Sequence, residues 1–181
     1  FQIKDVVFLA IMSAVALATC AVMPLVISLQ PLIFGISQLV TALQIGVFFA
    51  IGLYKVRKPG SLLLMALMMG LIQLMMSPPM FLSSVLNGVL IELIVLLLFR
   101  GYEKDAAVFV AAMLHTPLSL PFNYLYNRLA KGADSPLAAV ADRAPLAAVG
   151  MTLAVVAVSA LGALIGIKIA RELKKSGVLK K

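Results

Sequence analysis

The sequence is poor in the residues on which most soluble enzymes depend. It has one cysteine, one histidine and no tryptophan, and it has seven acidic residues among 181. A disulfide framework within the chain is therefore excluded, and no paired cysteine and histidine spacing marks a zinc site. Charged residues make up 12% of the chain, about half of the share typical of a soluble domain.

Motifs for nucleotide or acyl chemistry are also missing. There is no Walker-type glycine loop, so the chain is not expected to hydrolyse nucleotide, and there is no nucleophile elbow. We predict a non-enzymatic protein with no cofactor and no metal. Methionines crowd residues 65–80 and could suggest a copper route. Methionine also fills gaps in apolar packing, and we favour that interpretation.

Apolar residues are what the chain has in abundance. They make up 63% of the sequence, and the mean hydropathy is +1.12. Charged residues gather in short clusters between apolar runs, and crossing a bilayer as a helix takes about 20 residues. Backbone groups in lipid must be satisfied within such helices. The sequence therefore predicts an all-α polytopic membrane protein, with six transmembrane helices in one domain over residues 1–181.

Charged, proline and glycine residues divide the apolar sequence into six spans. Pro24 is predicted to kink or end the first span, and Pro117 and Pro121 are predicted to interrupt the fifth. A polar connection is predicted from Asn127 to Arg143. The approximate bounds of the spans are Val6–Ile27, Ile36–Tyr54, Ser61–Met76, Phe81–Phe99, Ala106–Tyr126 and Leu146–Ala170.

The basic residues predict an orientation. Twelve of the fifteen lysines and arginines fall at one set of span ends, and only Arg128, Lys131 and Arg143 fall at the other. The positive-inside rule places the richer side, with both termini, in the cytoplasm. The net charge of +8 is thus interpreted as a topology signal, and nucleic-acid binding is not expected.

Two ionisable side chains, Glu92 and His115, lie deep in the predicted spans. An ionisable group at this depth is costly, so it usually faces a cavity or a partner. Glu92 shares a stripe with Ser84 and Gly88, a small and polar face suited to lining a cavity. Either Glu92 and His115 pair with each other or with a neighbouring hydroxyl, or at least one of them contacts a ligand, and we favour ligand contact.

Further polar residues point to the same kind of site. The outer end of span five carries an amide and aromatic cluster, which suits either an interfacial belt with a snorkelling arginine or a flat polar heterocycle. Buried amides elsewhere need partners, either one another or a ligand. The predicted substrate-binding residues are Gln38, Asn87, Glu92, His115, Asn123, Tyr124 and Asn127.

Rows of small residues let helices approach closely in lipid. Span six carries Gly162 and Gly166, for which packing within the monomer is the favoured interpretation. Span one carries Ala10, Ala14 and Ala18, each four residues apart.

With this alanine row and the basic turn at residues 55–60, the chain resembles the substrate-binding S-components of energy-coupling factor (ECF) vitamin transporters over essentially its whole length. The resemblance implies that Ala10, Ala14 and Ala18 dock a transmembrane coupling subunit, which works with two ABC ATPases in a prokaryotic plasma membrane. It implies capture of a vitamin or precursor near the outer face, in a pocket walled by helices four, five and six.

The resemblance also carries expectations for the ligand. The uncharged connection Ser28–Gly35 would be the lid, and Glu92 and His115 match pocket positions of thiamin-type members. Without tryptophan, stacking would fall to Tyr124, Tyr126 or Phe34. A carboxylate at Glu92 favours a protonatable heterocycle, such as a hydroxymethylpyrimidine, pyridoxine or thiamin-like ligand.

Three other functions are open at this point. Glu92 could drive a self-sufficient proton-coupled carrier, or it could serve a small intramembrane enzyme. A purely structural membrane subunit is the third alternative, which Glu92 and the outer amide cluster make less attractive.

Overall fold

The computed structural model describes residues 1–20, 26, 28–29, 32–132 and 135–179. Within these residues the chain forms seven α-helices and no strand, so the all-α prediction is confirmed. The helices are α1 (Ile3–Thr19), α2 (Ile36–Lys55), α3 (Ser61–Leu74), α4 (Pro78–Phe99), α5 (Asp105–Lys131), α6 (Pro136–Arg143) and α7 (Pro145–Lys175).

Four of these helices are long and apolar enough to cross a membrane, namely α2, α4, α5 and α7, and α3 is a shorter apolar helix of 14 residues. Their outer faces carry large apolar side chains such as Leu97 and Leu153, which are 82% and 64% exposed. An exposed apolar surface of this kind suits lipid contact. The predicted end of the first span, including Pro24, lies outside the described residues.

The helices pack around one main core. α2 lies against α7, α3 lies against α4, and α5 contacts α2, α4 and α7, while α1 rests on α2 and α3. Leu9, Phe49, Met65, Ile91 and Val108 are fully buried where these helices meet. The core thus joins α1 through α5, and it is closed on one side by α7.

Glycines on α7 allow the closest of these helix contacts. A Cβ atom at Gly162 would overlap the backbone of α2 at Leu43, and one at Gly166 would overlap it at Val47. Dispersion between closely packed backbones replaces the hydrophobic drive that is missing in lipid. The prediction that this glycine pair serves packing within the monomer is confirmed.

Helix α5 runs without a break through Pro117 and Pro121, so the predicted interruption is wrong. Proline has no N–H to donate, and Pro117 therefore leaves the carbonyl of Met113 without its helical partner. The hydroxyl of Ser159 on α7 donates to that carbonyl at 2.8 Å. A side chain from a neighbouring helix thus replaces the missing hydrogen bond, which is how transmembrane helices tolerate proline.

Two other predicted boundaries also differ. α4 begins at Pro78, earlier than predicted, because prolines in the first turn lack only N–H groups that a helix start leaves unpaired. Helix α6 (Pro136–Arg143) lies inside the predicted polar connection. Its eight residues are too few to span a bilayer and gave no span signal in the sequence.

Ion pairs gather several helix termini at one end of the bundle. Asp105, at the start of α5, accepts hydrogen bonds from Arg57 after α2 and from Arg171 near the end of α7. Lys58 Nζ lies 2.7 Å from Asp5 Oδ2 at the start of α1. The starts of α1 and α5 and the ends of α2 and α7 therefore meet at this end, which we call the basic end.

Glu92 is buried near the basic end. Its Oε1 accepts a hydrogen bond from the Gly60 N–H at 2.6 Å, and its Oε2 accepts one from the Tyr102 hydroxyl at 2.9 Å. Gly60 immediately precedes α3, whose first N–H groups lack helical partners and carry partial positive charge. Burial and the adjacent carboxylate raise the pKa of Tyr102, so its hydroxyl stays a donor. Glu92 therefore fixes the start of α3, and it pairs with a neighbouring hydroxyl, that of Tyr102, and not with His115.

We predict that Glu92→Ala lowers the thermal stability of the purified protein in detergent. The substitution leaves the Gly60 N–H and the Tyr102 hydroxyl buried and unpaired, which costs about 1–3 kcal/mol. Tyr102→Phe is the matched control, because it removes the hydroxyl donor but keeps the hydrogen bond from the Gly60 N–H to Glu92. It should lower the unfolding temperature less than Glu92→Ala does. An unchanged unfolding temperature for Glu92→Ala would contradict this structural role.

Candidate ligand-binding cavity

A cavity of about 570 Å³ lies at the end of the bundle opposite the basic end. This volume is within the range of small-molecule sites in proteins. α1 through α5 and the start of α6 supply its walls. Its lining residues are Leu17, Cys20, Ser37, Gln38, Thr41, Ile45, Met69, Gln73, Ser77, Pro79, Met80, Ser83, Ser84, Asn87, His115, Thr116, Ser119, Asn123, Tyr126, Asn127, Ser135 and Pro136.

The structure brings five of the seven predicted site residues to this cavity: Gln38, Asn87, His115, Asn123 and Asn127. The other two do not line it. Glu92 is bound at the start of α3, and the hydroxyl of Tyr124 donates to Asp142. The walls also differ from those that the resemblance implied, because among the described residues α7 contributes none of the lining.

Three buried side chains of the lining present polar atoms that have no hydrogen-bond partner within the described part of the chain. These atoms are Asn87 Oδ1, both ring nitrogens of His115 and Thr116 Oγ1. The three residues are only 1%, 4% and 3% exposed. Since a buried polar atom without a partner costs about 1–3 kcal/mol, most such atoms in proteins are paired. A cluster of them at one cavity is the pattern expected of a ligand site.

The positions of these side chains follow from the helices that carry them. The ring of His115 packs on Phe49 of α2 with a centroid separation of 4.5 Å and a tilt of 46°, so the core fixes its orientation. Thr116 is the next residue of α5, and Asn87 lies one turn after Ser83 and Ser84 on α4. The unpaired atoms therefore lie on rigid helices, which is where a preformed site is best built.

The polar cluster at the end of α5 divides into two faces. Asn127 Nδ2 donates to the Asn123 carbonyl at 2.8 Å, and Asn127 Oδ1 accepts from the Ser135 hydroxyl at 3.2 Å. On the other face, Tyr124 and Arg128 both donate to Asp142 of α6, at 2.7 Å each. The amides thus line the cavity, while the phenol and the guanidinium hold α6 against α5.

Several residues of this region were not predicted from the sequence, including Thr116, Ser119 and Asp142. A single hydroxyl in an apolar span carries no signal of its own. Asp142 could have been found, because Arg128 at a membrane boundary needs a counter-charge and the outer connection offers few acids.

The predicted lid falls only partly within the described residues. Gln30 and Pro31 lie outside them, and no described residue of Ser28–Gly35 lines the cavity. Phe34 packs instead against Ala42, Leu120 and Val155, away from any stacking position in the lining.

The alanine row of α1 lies on the side of that helix that faces away from the core. Ala14 and Ala18 are exposed and Ala10 is half-buried. On the opposite face Ser13 is buried, and its hydroxyl donates to the Met65 carbonyl of α3 at 3.2 Å. A partner helix could therefore reach the alanine row directly.

We predict that Asn87→Leu and His115→Phe do not lower, and can raise, the thermal stability of the ligand-free protein. Each substitution keeps the side-chain size and removes an unpaired buried polar group, whose cost is then relieved. Ser159→Ala is the control, since it removes a buried hydroxyl that has a partner, and it should lower stability by about 1 kcal/mol. Equal losses in all three variants would mean that Asn87 and His115 serve the fold.

Comparison with known proteins agrees with this architecture. A family model described as "Hypothetical bacterial integral membrane protein (Trep_Strep)" matches residues 3–175. A solved structure described as an S-component of an ECF transporter superposes with a TM-score of 0.66 at 21% identity, over 99% of this chain and 88% of that one. No curated protein matches the sequence. The chain therefore belongs to the Trep_Strep family of bacterial integral membrane proteins, and it has the fold of an ECF S-component.

Proposed function

We propose that this chain is the substrate-binding subunit of an ECF-type ABC transporter. It captures a small solute, a vitamin or vitamin precursor, in the cavity described above, for ATP-driven uptake. The transmembrane coupling subunit and the pair of ATPases would be its partners. The observation that carries the proposal is the set of buried, unpaired polar atoms on Asn87, His115 and Thr116, because a bound solute would satisfy them.

The proposal includes an orientation in the membrane. Six membrane-crossing segments, with the basic end and both termini in the cytoplasm, follow from the positive-inside rule. The lysines and arginines of the basic end would then face the ATPases. The cavity would lie in the outer half of the bilayer, where a solute arrives from outside.

The alanine row of α1 suits the docking of a coupling subunit. Its exposed face combines Ala14 and Ala18 with larger apolar residues, among them Val7 and Ile11, which are about half exposed. Small residues let another membrane helix approach closely. The contact would leave the cavity free, because the described lining includes none of these four residues.

The expectation of a protonatable heterocycle rested on Glu92 as a ligand group. Its carboxylate accepts hydrogen bonds from Gly60 and Tyr102 instead, so it offers no counter-charge to a solute in the cavity. The same geometry removes the support for a carrier or an intramembrane enzyme that would use Glu92. The chemical class of the substrate therefore depends on the side chains that line the cavity.

We predict that a reporter protein fused to the N-terminus or to the C-terminus lies in the cytoplasm. A reporter that is active only in the cytoplasm should be active at both ends, while one inserted between Lys131 and Pro136 should be inactive. Alkaline phosphatase, which needs the oxidising exterior for its disulfides, should give the opposite pattern. Opposite locations for the two termini would contradict the six-span arrangement.

We predict that Ala14→Trp separates solute binding from assembly. The tagged chain would be purified from bacteria that carry a coupling module, and both small molecules and protein subunits would be identified by mass spectrometry. The bulky ring should keep the solute but reduce the co-purifying coupling subunit and ATPases at least ~10-fold, because overpacking a helix contact costs about 1–3 kcal/mol.

The matched control is Ala157→Trp, which places the same ring at an exposed alanine of α7 and should keep both solute and subunits. Reconstitution of the chain alone in liposomes tests the alternative. Uptake driven by a pH gradient, without ATPases, would replace the proposed function with a secondary carrier.

A further inference from the structure

Given the proposed function, we propose that the transported solute is uncharged and is held mainly by hydrogen bonds. Its innermost polar groups would bind Asn87, His115 and Thr116. The chemical class is a neutral solute of up to nucleoside size that carries an amide-type edge or hydroxyl groups.

The described lining of the cavity carries no charge that could compensate a charged solute. None of the described residues that line the cavity is an aspartate, glutamate, lysine or arginine. Two ionised groups near the cavity in the described part of the chain are engaged elsewhere, Glu92 with the start of α3 and Arg128 with Asp142. Burial of a charge without a counter-charge costs several kcal/mol. The cavity therefore disfavours cations and anions alike.

Neutral hydrogen-bonding side chains make up most of the cavity lining. Of the 22 lining residues, 15 carry hydroxyl, amide or imidazole side chains. Only His115 and Tyr126 bring aromatic rings, and Tyr126 is 38% exposed. Stacking on an aromatic wall thus contributes little to recognition here. Several of the polar groups already have partners within the chain, among them Thr41, Ser119 and Ser135. A solute must match the unpaired atoms of Asn87, His115 and Thr116, since each one left unpaired would cost affinity.

The unpaired atoms at the inner end of the cavity include both donors and acceptors. Asn87 Oδ1 can only accept a hydrogen bond, whereas the Thr116 hydroxyl can donate and accept. A neutral imidazole at His115 offers one donor and one acceptor. The complementary solute must offer at least one donor and one acceptor side by side. A carboxamide, a ureide edge or neighbouring hydroxyl groups meet this requirement without carrying charge.

The test compares matched solutes that differ only in charge. The purified chain in lipid nanodiscs would be titrated with nicotinamide, nicotinate and 1-methylnicotinamide, with panthenol and pantothenate, and with uridine and 5′-amino-5′-deoxyuridine. Binding would be measured by calorimetry and by the shift in unfolding temperature. We expect binding by a neutral member and at least ~10-fold weaker binding by its charged counterparts, a difference of about 1.4 kcal/mol.

Two outcomes would overturn the inference in distinguishable ways. Equal or tighter binding of a charged member would reject the uncharged class but leave the transport function standing. No binding by any member would reject both the substrate class and the proposed solute-binding function, provided that the protein remains folded.

Variants check that the effect arises in the cavity. Asn87→Asp places a carboxylate in the lining and should shift the preference at least ~10-fold toward the cationic member of a set. Thr116→Val should weaken the neutral member and leave the fold intact. Thr152→Val makes the same change on α7, outside the described lining, and should leave the preference unchanged. Asp134 lies outside the described residues, next to the lining residue Ser135, and Asp134→Asn should likewise change nothing. A loss of the neutral preference in Asp134→Asn would overturn the inference.

Discussion

The hydrogen bond from Ser159 to the carbonyl of Met113 is the interaction on which the cavity depends. It lets α5 remain a helix through Pro117, where the backbone would otherwise keep an unpaired acceptor in an apolar setting. Only in an uninterrupted helix do His115, Ser119 and Asn123, at spacings of four, fall on one face. The polar wall of the cavity is thus a consequence of one hydroxyl on α7, a helix that contributes none of the described lining residues.

Helix α4 shows how the same kind of residue serves two purposes. Glu92 and Asn87 are buried polar residues five positions apart, and both would be expensive without partners. Glu92 lies where α3 begins, and its carboxylate accepts hydrogen bonds from the Gly60 N–H and the Tyr102 hydroxyl. It thereby joins the connection between α2 and α3 to the connection between α4 and α5. Asn87 lies nearer the other end and faces a cavity, where its Oδ1 atom has no partner. The difference between Glu92 and Asn87 is therefore that the fold itself supplies partners for the carboxylate but leaves Asn87 Oδ1 without one.

This difference explains how much could be predicted from the sequence. Apolar run lengths and charge clusters give the helices, because the bilayer imposes their length and internal hydrogen bonding. The cost of polar residues in apolar spans singled out Asn87, His115 and Asn123, which line one cavity in the structure. The sequence does not contain the contacts between distant helices, so it could not assign Glu92 to Gly60 or Ser159 to Met113. Helix α6 was missed because eight residues with a mixed polar pattern resemble a connection.

The distribution of charge along the bundle has a consequence for the proposed solute selectivity. Ion pairs involving Asp5 and Asp105 fix the basic end, and the pair of Arg128 with Asp142 fixes α6 at the opposite end. Besides Glu92, the long apolar helices carry two carboxylates among the described residues, Asp105 and Glu172, and both are ion-paired. Glu92 is stabilised by the Gly60 N–H at the start of α3 and by the Tyr102 hydroxyl. A solute that enters the cavity loses water, and it can regain only neutral hydrogen bonds in exchange. An uncharged solute makes that exchange at little net cost, whereas an ion would lose hydration that none of the described lining residues replaces. The selectivity proposed for the cavity therefore follows from where the fold has already placed its own charges.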